Sequence, residues 1–428
     1  VRTIRLGSPG RASPANQINY DLLIGNGHQV DELKTLDPLN IGIQDVIIDA
    51  LLGIGINKPI SGWFAQVIKQ INSARRPVIS IDLPSGLFAN ADPTKDLNAI
   101  IRATLTLTFE VPKLALLLPE NSRFTGKWEI IPIDLDQALI HAQRKDHFLI
   151  HENDIVELLP SRPINGHKGT FGHALVIAGS TGKMGAAVLA VKACSRSGVG
   201  LITASVPKHA FAILQSTVPE AMCVGVDDDH TSLPELDQYS SIGIGPGIGK
   251  EDDIARIVKL LIRSTSSNLV MDADALNILS ENRTWLAFLP KNTILTPHPK
   301  EFERLYGSPS INDQERLSRA REFAIKHQCI VILKSSITAV CDTSGKVYFN
   351  STGNPGMAKG GSGDALTGLI TGLLAQRMAP LKAAIIGVHL HGVAGDITAA
   401  EMGMDGMTVS DLIDRIPKAW QQLRAGSK

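Results

Sequence analysis

The stretch Gly353-Asn354-Pro355-Gly356-Met357-Ala358-Lys359-Gly360-Gly361-Ser362-Gly363-Asp364-Ala365-Leu366 can form neither a regular strand nor an unbroken helix, because glycine and proline recur too closely in it. Past it the pattern changes: Leu366, Leu369, Ile370, Leu373 and Leu374 recur at helical spacing. The segment is therefore a tight turn that opens a helix. Gly360, Gly361 and Gly363 let backbone N–H groups converge without Cβ obstruction, and the positive end of the helix dipole points at the same spot, so the turn is built to hold an anion. Two readings of Asp364 are open: a base that takes a proton from a substrate hydroxyl beside bound phosphate, or an N-cap of the new helix.

At 428 residues the chain is long for one core, and two domains are expected. Formal net charge is zero, which excludes the basic excess that non-specific nucleic-acid binding needs. Aromatic residues are only 4%, too few for base-stacking platforms. Cys194, Cys223, Cys329 and Cys341 are widely spaced and form no CxxC pair, so neither a zinc site nor a disulfide framework is expected. No apolar run reads as long enough to span a membrane, and Val1 to Arg5 is not followed by a signal-peptide core, so a cytoplasmic protein is expected.

Along the chain, apolar runs alternate with helical patterns. Val46–Leu52 and Val78–Leu83 read as buried parallel strands, and Trp63, Val67, Ile68 and Ile71 between them fall at helical spacing, which makes a βαβ unit. Thr104–Phe109 reads as the next strand, 134–146 as a helical connector, and a new pattern begins near Leu149. The predicted domains are thus 1–148 and 149–428. In the second, Ala174–Ala178, Leu201–Val206, Ser241–Ile244, Leu269–Met271, Thr293–Leu295 and Ile330–Leu333 read as strands, with a small-residue helix from Ala186 to about Ser197. This is the pattern of an open α/β sheet with helices on both faces, preceded by a partial Rossmann-like α/β domain. Ligands of such sheets bind beyond the strand carboxyl ends, where the candidate motifs fall.

Gly245, Gly247 and Gly249 have the wrong spacing for a dinucleotide fingerprint and read as backbone close to a ligand. Gly185 and Ala186, small residues at a helix start, let a bulky ligand approach or simply pack. Asp272 and Asp274 either face magnesium through water or are turn residues. His298 and Glu301 either meet a ligand or open a helix after Pro297.

The string from Asn354 to Leu366 resembles the ADP/ATP-dependent NAD(P)HX dehydratases, ribokinase-like enzymes that restore hydrated NADH and NADPH. His167-Lys168-Gly169, Ala178-Gly179-Ser180, Gly243–Gly249, Asp272–Leu276 and Thr296–Glu301 fit the same family in the same order, from roughly Leu149 to the C-terminus. The resemblance implies phosphorylation of the ring hydroxyl of the S-epimer followed by elimination of phosphate. It makes Asp364 the base, and it implies that Gly185, Ala186, Gly247, His298 and Asp364 contact NADHX or NADPHX. Lys334, Ser335, Ser336, Ile337 and Thr338, together with Gly360, Gly361, Ser362 and Gly363, would contact ADP (favoured) or ATP with Mg2+. Ser335 stands where the family commonly has glycine. A ribokinase-like small-molecule kinase of the hydroxymethylpyrimidine type is the alternative, though such kinases usually carry Asn-x-x-Glu where this chain has His298 and Glu301.

Asp49–Ile56 and Ser80–Gly86 resemble the NAD(P)HX epimerase domain fused to the dehydratase in many bacteria. That resemblance implies that Asp49 and Ser85 help ligate K+, that Asp82 meets the substrate, and that Gly53, Ile54, Gly55 and Ile56 lie along it. The family's Asn-Asn-Gly-Gly-Asp-Gly loop is not in these 428 residues. A partial or degraded epimerase domain without epimerase activity is expected, left as a docking module at most, in a homo-oligomer.

Overall fold

The computed structural model describes residues 1–7, 13–33, 37–56, 58–90, 97–143, 145–226 and 233–425. The chain divides into two compact units, Val1–Gln143 and Arg144–Lys428.

In the first unit, β1 (Thr3–Leu6), α1 (Pro14–Gly25) and β2 (Val30–Leu33) form a βαβ unit whose strands pair in parallel. It carries little signal in the sequence, since β1 and β2 are short and α1 buries no residue. The expected second βαβ unit is present as β3 (Ile47–Asp49), α2 (Gly62–Ala74) and β4 (Val78–Ile81). Ala65, Val67, Ile68 and Ile71 turn one face of α2 inward, and the helix stops at Arg75 in the left-handed region. β5 (Leu105–Phe109) and, after the short helices α3 (Leu114–Leu117) and α4 (Ser122–Thr125), β6 (Lys127–Ile131) complete a parallel sheet in the order β3-β4-β5-β6. The expected helical connector contains only α5 (Gln137–Ala142).

The second unit begins with β7 (His147–Leu149), so the expected boundary after residue 148 falls inside a strand. The short run of alternation that pairs β7 with a distant strand is too brief to stand out in the sequence. After α6 (Glu152–Leu158) come β8 (His173–Ile177), α7 (Met184–Ser195), β9 (Leu201–Pro207), α8 (Phe211–Thr217) and β10 (Met222–Val226). Next are β11 (Ser241–Ile244), α9 (Asp252–Ser264), β12 (Asn268–Met271), α10 (Ala273–Glu281), β13 (Ile294–Leu295), α11 (Pro299–Tyr306), α12 (Asp313–His327) and β14 (Ile330–Leu333). The chain ends with β15 (Thr338–Cys341), β16 (Val347–Asn350), α13 (Ser362–Ala375), α14 (Pro380–Met402) and α15 (Val409–Ala425). The ten strands run β10-β9-β8-β11-β12-β13-β14-β15-β16-β7, parallel except for the pairings β14–β15 and β15–β16.

Each strand from β8 to β14 in the expected set is present, and β7, β10, β15 and β16 are additional to it. Ile330 and Ile332 join a core cluster with α13, α14 and α15, and alternation turns Val331 and Leu333 to the other face of the sheet. One expectation needs correction: α14 is long and apolar enough by composition to cross a membrane. Its apolar window is 78% buried within the unit, so here the length serves a core helix.

Candidate active site

Three strand ends and one helix start meet in the second unit. Asp272 follows β12, the Thr296-Pro297-His298 turn follows β13, Lys334 follows β14, and the glycine turn enters α13. Lys334 Nζ lies 2.8 Å from Asp272 Oδ1 and 4.0 Å from Glu301 Oε2. Thr367 Oγ1 donates to Asp272 Oδ2 at 2.8 Å, which ties the first turns of α13 to the end of β12. Burial alone would raise the Asp272 carboxyl, but the Lys334 ammonium and hydrogen bonds from Lys334, Thr367 and Thr296 hold it below its ordinary value. Burial likewise opposes the Lys334 charge, and Asp272 and Glu301 overcome it and raise the amine.

Asp364 lies in the first turn of α13. Burial pushes its carboxyl up to about 6, and the negative charge of Asp272 adds to this against the pull of Lys334. A carboxyl poised there is set up to exchange a proton near neutral pH. Gly361 is the N-cap, with φ 97°, and no side chain caps the helix, so first-turn N–H groups lack intrahelical acceptors. A Cβ on Gly360 would meet only open space, whereas one on Gly363 would lie 3.1 Å from Lys334 Nζ. The turn is anchored from behind: Gly353 N–H and Asn354 Nδ2 donate to the two carboxylate oxygens of Asp396 on α14, at 2.8 and 2.9 Å. Sequence reasoning missed Asp396, although a carboxylate in an otherwise apolar helix was a usable signal.

The opposite wall is backbone on backbone. Gly179 N–H donates to Pro246 O and Ser180 Oγ to Gly247 O, both at 2.8 Å. Gly247 has φ 63°, and a Cβ there would come within 3.0 Å of Ala186 Cβ, so Gly185, Ala186 and Gly247 are brought together. Gly245 has φ 135°, and a Cβ there would fall 1.9 Å from Asp272 O; this glycine lets two strand ends pass. Asp274 Oδ2 accepts from Gly249 N–H at 3.0 Å and lies 3.6 Å from Lys183 Nζ. Lys183, Asp274 and Thr367 are therefore site neighbours that spacing alone did not single out for these partners.

His298 caps α11. Its Nδ1 accepts from Lys300 N–H and Glu301 N–H at 3.1 and 3.3 Å, and Glu301 Oε2 accepts His298 N–H at 2.8 Å. Burial holds the imidazole below its ordinary pKa, with help from Lys334 and Arg304 against Glu301. A neutral ring whose Nδ1 accepts carries its proton on Nε2, which lies 3.5 Å from Glu301 Oε1, and the side chain is 45% exposed. The Lys334–Thr338 segment divides: Lys334 turns into the carboxylate cluster, while Ser335 and Ser336 are exposed before Thr338 opens β15 and donates to Ser335 O at 3.2 Å. Ser335 Oγ also bonds to Ile337 O. Among the described residues no group of three or more His, Cys, Asp or Glu is placed to hold a metal.

In the first unit, Asp49 and Ser85 meet, both buried. Asp49 Oδ1 accepts Ser85 Oγ–H at 2.6 Å, and Oδ2 accepts Ser80 Oγ–H and Ser85 N–H, each at 2.8 Å. Asp82, with φ 68°, pairs with Lys113 and accepts Phe109 N–H at 3.2 Å. Gly53, Ile54, Gly55 and Ile56 form a loop after β3, with Ile54 exposed.

The NAD(P)H-hydrate dehydratase family matches residues 174–418, and the YjeF-related N-terminal family matches residues 1–115. The bifunctional NAD(P)H-hydrate repair enzyme Nnr of Moorella thermoacetica is 36% identical over 413 residues, 94% of this chain and 77% of that one. The Nnr of Thermosynechococcus vestitus is 37% identical over 82% of this chain and 70% of its own. Among solved structures, the ADP/ATP-dependent NAD(P)H-hydrate dehydratase of Bacillus subtilis, co-crystallised with ATP and Mg2+, is similar with a TM-score of 0.57 and 32% identity, covering 64% of this chain and 97% of that one. A ribokinase-like protein of Enterococcus faecalis is similar with a TM-score of 0.58 and 27% identity, over 66% and 98% of the two chains. The chain belongs to the family of the bifunctional NAD(P)H-hydrate repair enzymes, with an NAD(P)H-hydrate dehydratase domain of ribokinase-like fold in its second unit.

Proposed function

We propose that the second unit dehydrates the S-epimers of NADHX and NADPHX to NADH and NADPH at the expense of ADP or ATP, with ADP favoured. The observation that carries this reading is Asp364, raised to about 6 at the mouth of the glycine turn. Hydroxide leaves a reduced nicotinamide ring poorly, and phosphate leaves well. Asp364 would take the proton of the ring hydroxyl as its oxygen attacks the terminal phosphoryl group, while the N–H groups from Gly360 to Gly363 accommodate the charge in flight. The ring nitrogen's electron pair then expels phosphate, and loss of a ring proton restores the double bond. With ADP the products are AMP, phosphate and the reduced coenzyme.

His298, Gly185, Ala186 and Gly247 are assigned to the hydrated coenzyme, and Lys334–Thr338 with Gly360–Gly363 to the nucleotide. Asp272 is already neutralised by Lys334, which fits a Mg2+ that arrives on the nucleotide phosphates rather than in a protein cage. In the first unit, Asp49 and Ser85 are the residues assigned to K+, with the Asp49 carboxylate oriented by hydrogen bonds from Ser80 and Ser85. We assign no epimerase activity to these 428 residues.

The experiment supplies purified protein with S-NADHX and S-NADPHX and with ADP, ATP or neither. Recovery of reduced-nicotinamide absorbance only with nucleotide is expected. Nucleotide consumption on a small alcohol, with no coenzyme recovery, would replace this reading with a kinase.

A further inference from the structure

Helices α7 and α13 both start at the candidate active site and end together elsewhere. α7 begins at Met184, beside Gly185 and Ala186, and stops before Arg196; α13 begins at the glycine turn and stops before Gln376. They pack closely, since a Cβ on Gly368 would fall 1.8 Å from Ala190 O. At their far ends lies a cavity of about 400 Å³ lined by Arg162, Arg196 and Arg424, with Phe171, Trp420 and Met378 also in its wall and Arg424 Nη2 donating to Pro160 O at 3.1 Å. Among the described residues no acidic one lines it; Asp414, 3.7 Å from Arg196 Nη2, stands outside the lining. The walls are cross-tied. Arg162 Nη1 donates to Gly198 O at 3.1 Å with its guanidinium 3.8 Å over the Phe171 ring, Trp420 Nε1 donates to Arg196 O at 3.2 Å, and Gln376 Nε2 donates to Ser197 O at 3.0 Å.

We propose that this cavity is a second binding site, for a nucleoside phosphate. Guanidinium forks match phosphate oxygens in pairs, and aromatic and thioether surface suits a planar base. The volume falls in the range of small-ligand pockets. Lying at the opposite ends of α7 and α13 from Asp364, the site is separate from the one that carries the chemistry.

The test is isothermal titration of the full chain with ADP and Mg2+. Two equivalents per chain are expected for the wild type and one for the Arg162→Ser/Arg196→Ser variant, whose dehydratase turnover should stay within about twofold of wild type because neither arginine is near the chemistry. Arg162→Lys, which keeps the charge and loses the fork, should weaken the second site at least ~10-fold and leave the first unchanged. A single equivalent in the wild type, or a second site that Arg162→Lys does not weaken, would overturn the proposal.

Discussion

Lys334 Nζ and Asp272 Oδ1, 2.8 Å apart, join the end of β14 to the end of β12 across the strand between them. Asp272 is fully buried and Lys334 mostly so, and removing the lysine leaves the buried carboxylate without its main partner. Lys334→Met should therefore destabilise the second unit by about 3–5 kcal/mol, the range for breaking a buried pair. Adding Asp272→Asn to Lys334→Met should recover a large part of that loss in urea unfolding. Equal losses in the single and double variants would show that the pair is not coupled.

Activity should follow the ionisation of Asp364. A base must be deprotonated to work, and this carboxyl is raised to about 6, so kcat/KM should climb as pH rises through that value. Asp364→Asn should lose at least ~100-fold in turnover with little change in nucleotide affinity, the low end for removal of a positioned base. A profile flat from about pH 5 to 7 would remove Asp364 from the role.

The same shift has a cost in stability. The unfolded chain releases the Asp364 proton near the ordinary value of 3.8 and the folded chain only at about 6, so between these values the folded state binds more protons and loses stability as pH rises. The penalty is complete above the folded value. Asp364→Asn should thus be more stable than wild type at about pH 8, by on the order of 1–3 kcal/mol, and equal to it below the unfolded value. Thermal melts at both ends of the range test this; a variant less stable than wild type at the higher pH contradicts it.

Gly360 and Gly361 should respond differently to alanine. Gly361 has φ 97°, and its added Cβ would lie 2.4 Å from Leu189 Cδ1, so the strain falls on the packing of α13 against α7 and not, as the bare motif suggests, on the anion pocket. Gly361→Ala should cost at least about 1–2 kcal/mol from the left-handed backbone alone. Gly360→Ala, facing open space, should melt near wild type.

The chemistry-bearing residues were legible because each motif is a strand end or a helix start, places where glycine and charged residues interrupt apolar runs. Asp272, His298, Lys334 and Asp364 do converge. What the sequence hid is partnership. Lys334 reads as one residue of a loop, and only the ordering of β12, β13 and β14 places it on Asp272. His298 left a helix cap and a ligand contact as rivals, and the geometry shows the cap, made through Nδ1, with Nε2 3.5 Å from Glu301 Oε1 at the half-exposed edge of the ring. The antiparallel β15 and β16 escaped notice because four-residue strands beside a serine-rich loop carry little periodicity.

Residues 1–428 should leave the R-epimer to its spontaneous rate, with or without potassium, since Asp49, Asp82 and Ser85 supply carboxylate and hydroxyl groups but these residues contain no Asn-Asn-Gly-Gly-Asp-Gly loop to hold the coenzyme phosphates. Holding the reacting carbon in place is worth several powers of ten in rate. Chromatography of the two epimers measures it; rapid R-to-S conversion by this chain alone would contradict the assignment.

The proposed chemistry turns on phosphorylation of the ring hydroxyl before it leaves. Hydrated coenzyme labelled with heavy oxygen in that hydroxyl, turned over with ADP and Mg2+, should deliver the label to inorganic phosphate, because the hydroxyl oxygen becomes the bridging oxygen of the ester and departs with the phosphoryl group. Label recovered in water, with phosphate unlabelled, would mean that hydroxide leaves directly and that the Asp364 glycine-turn site does not carry out phosphoryl transfer to the coenzyme.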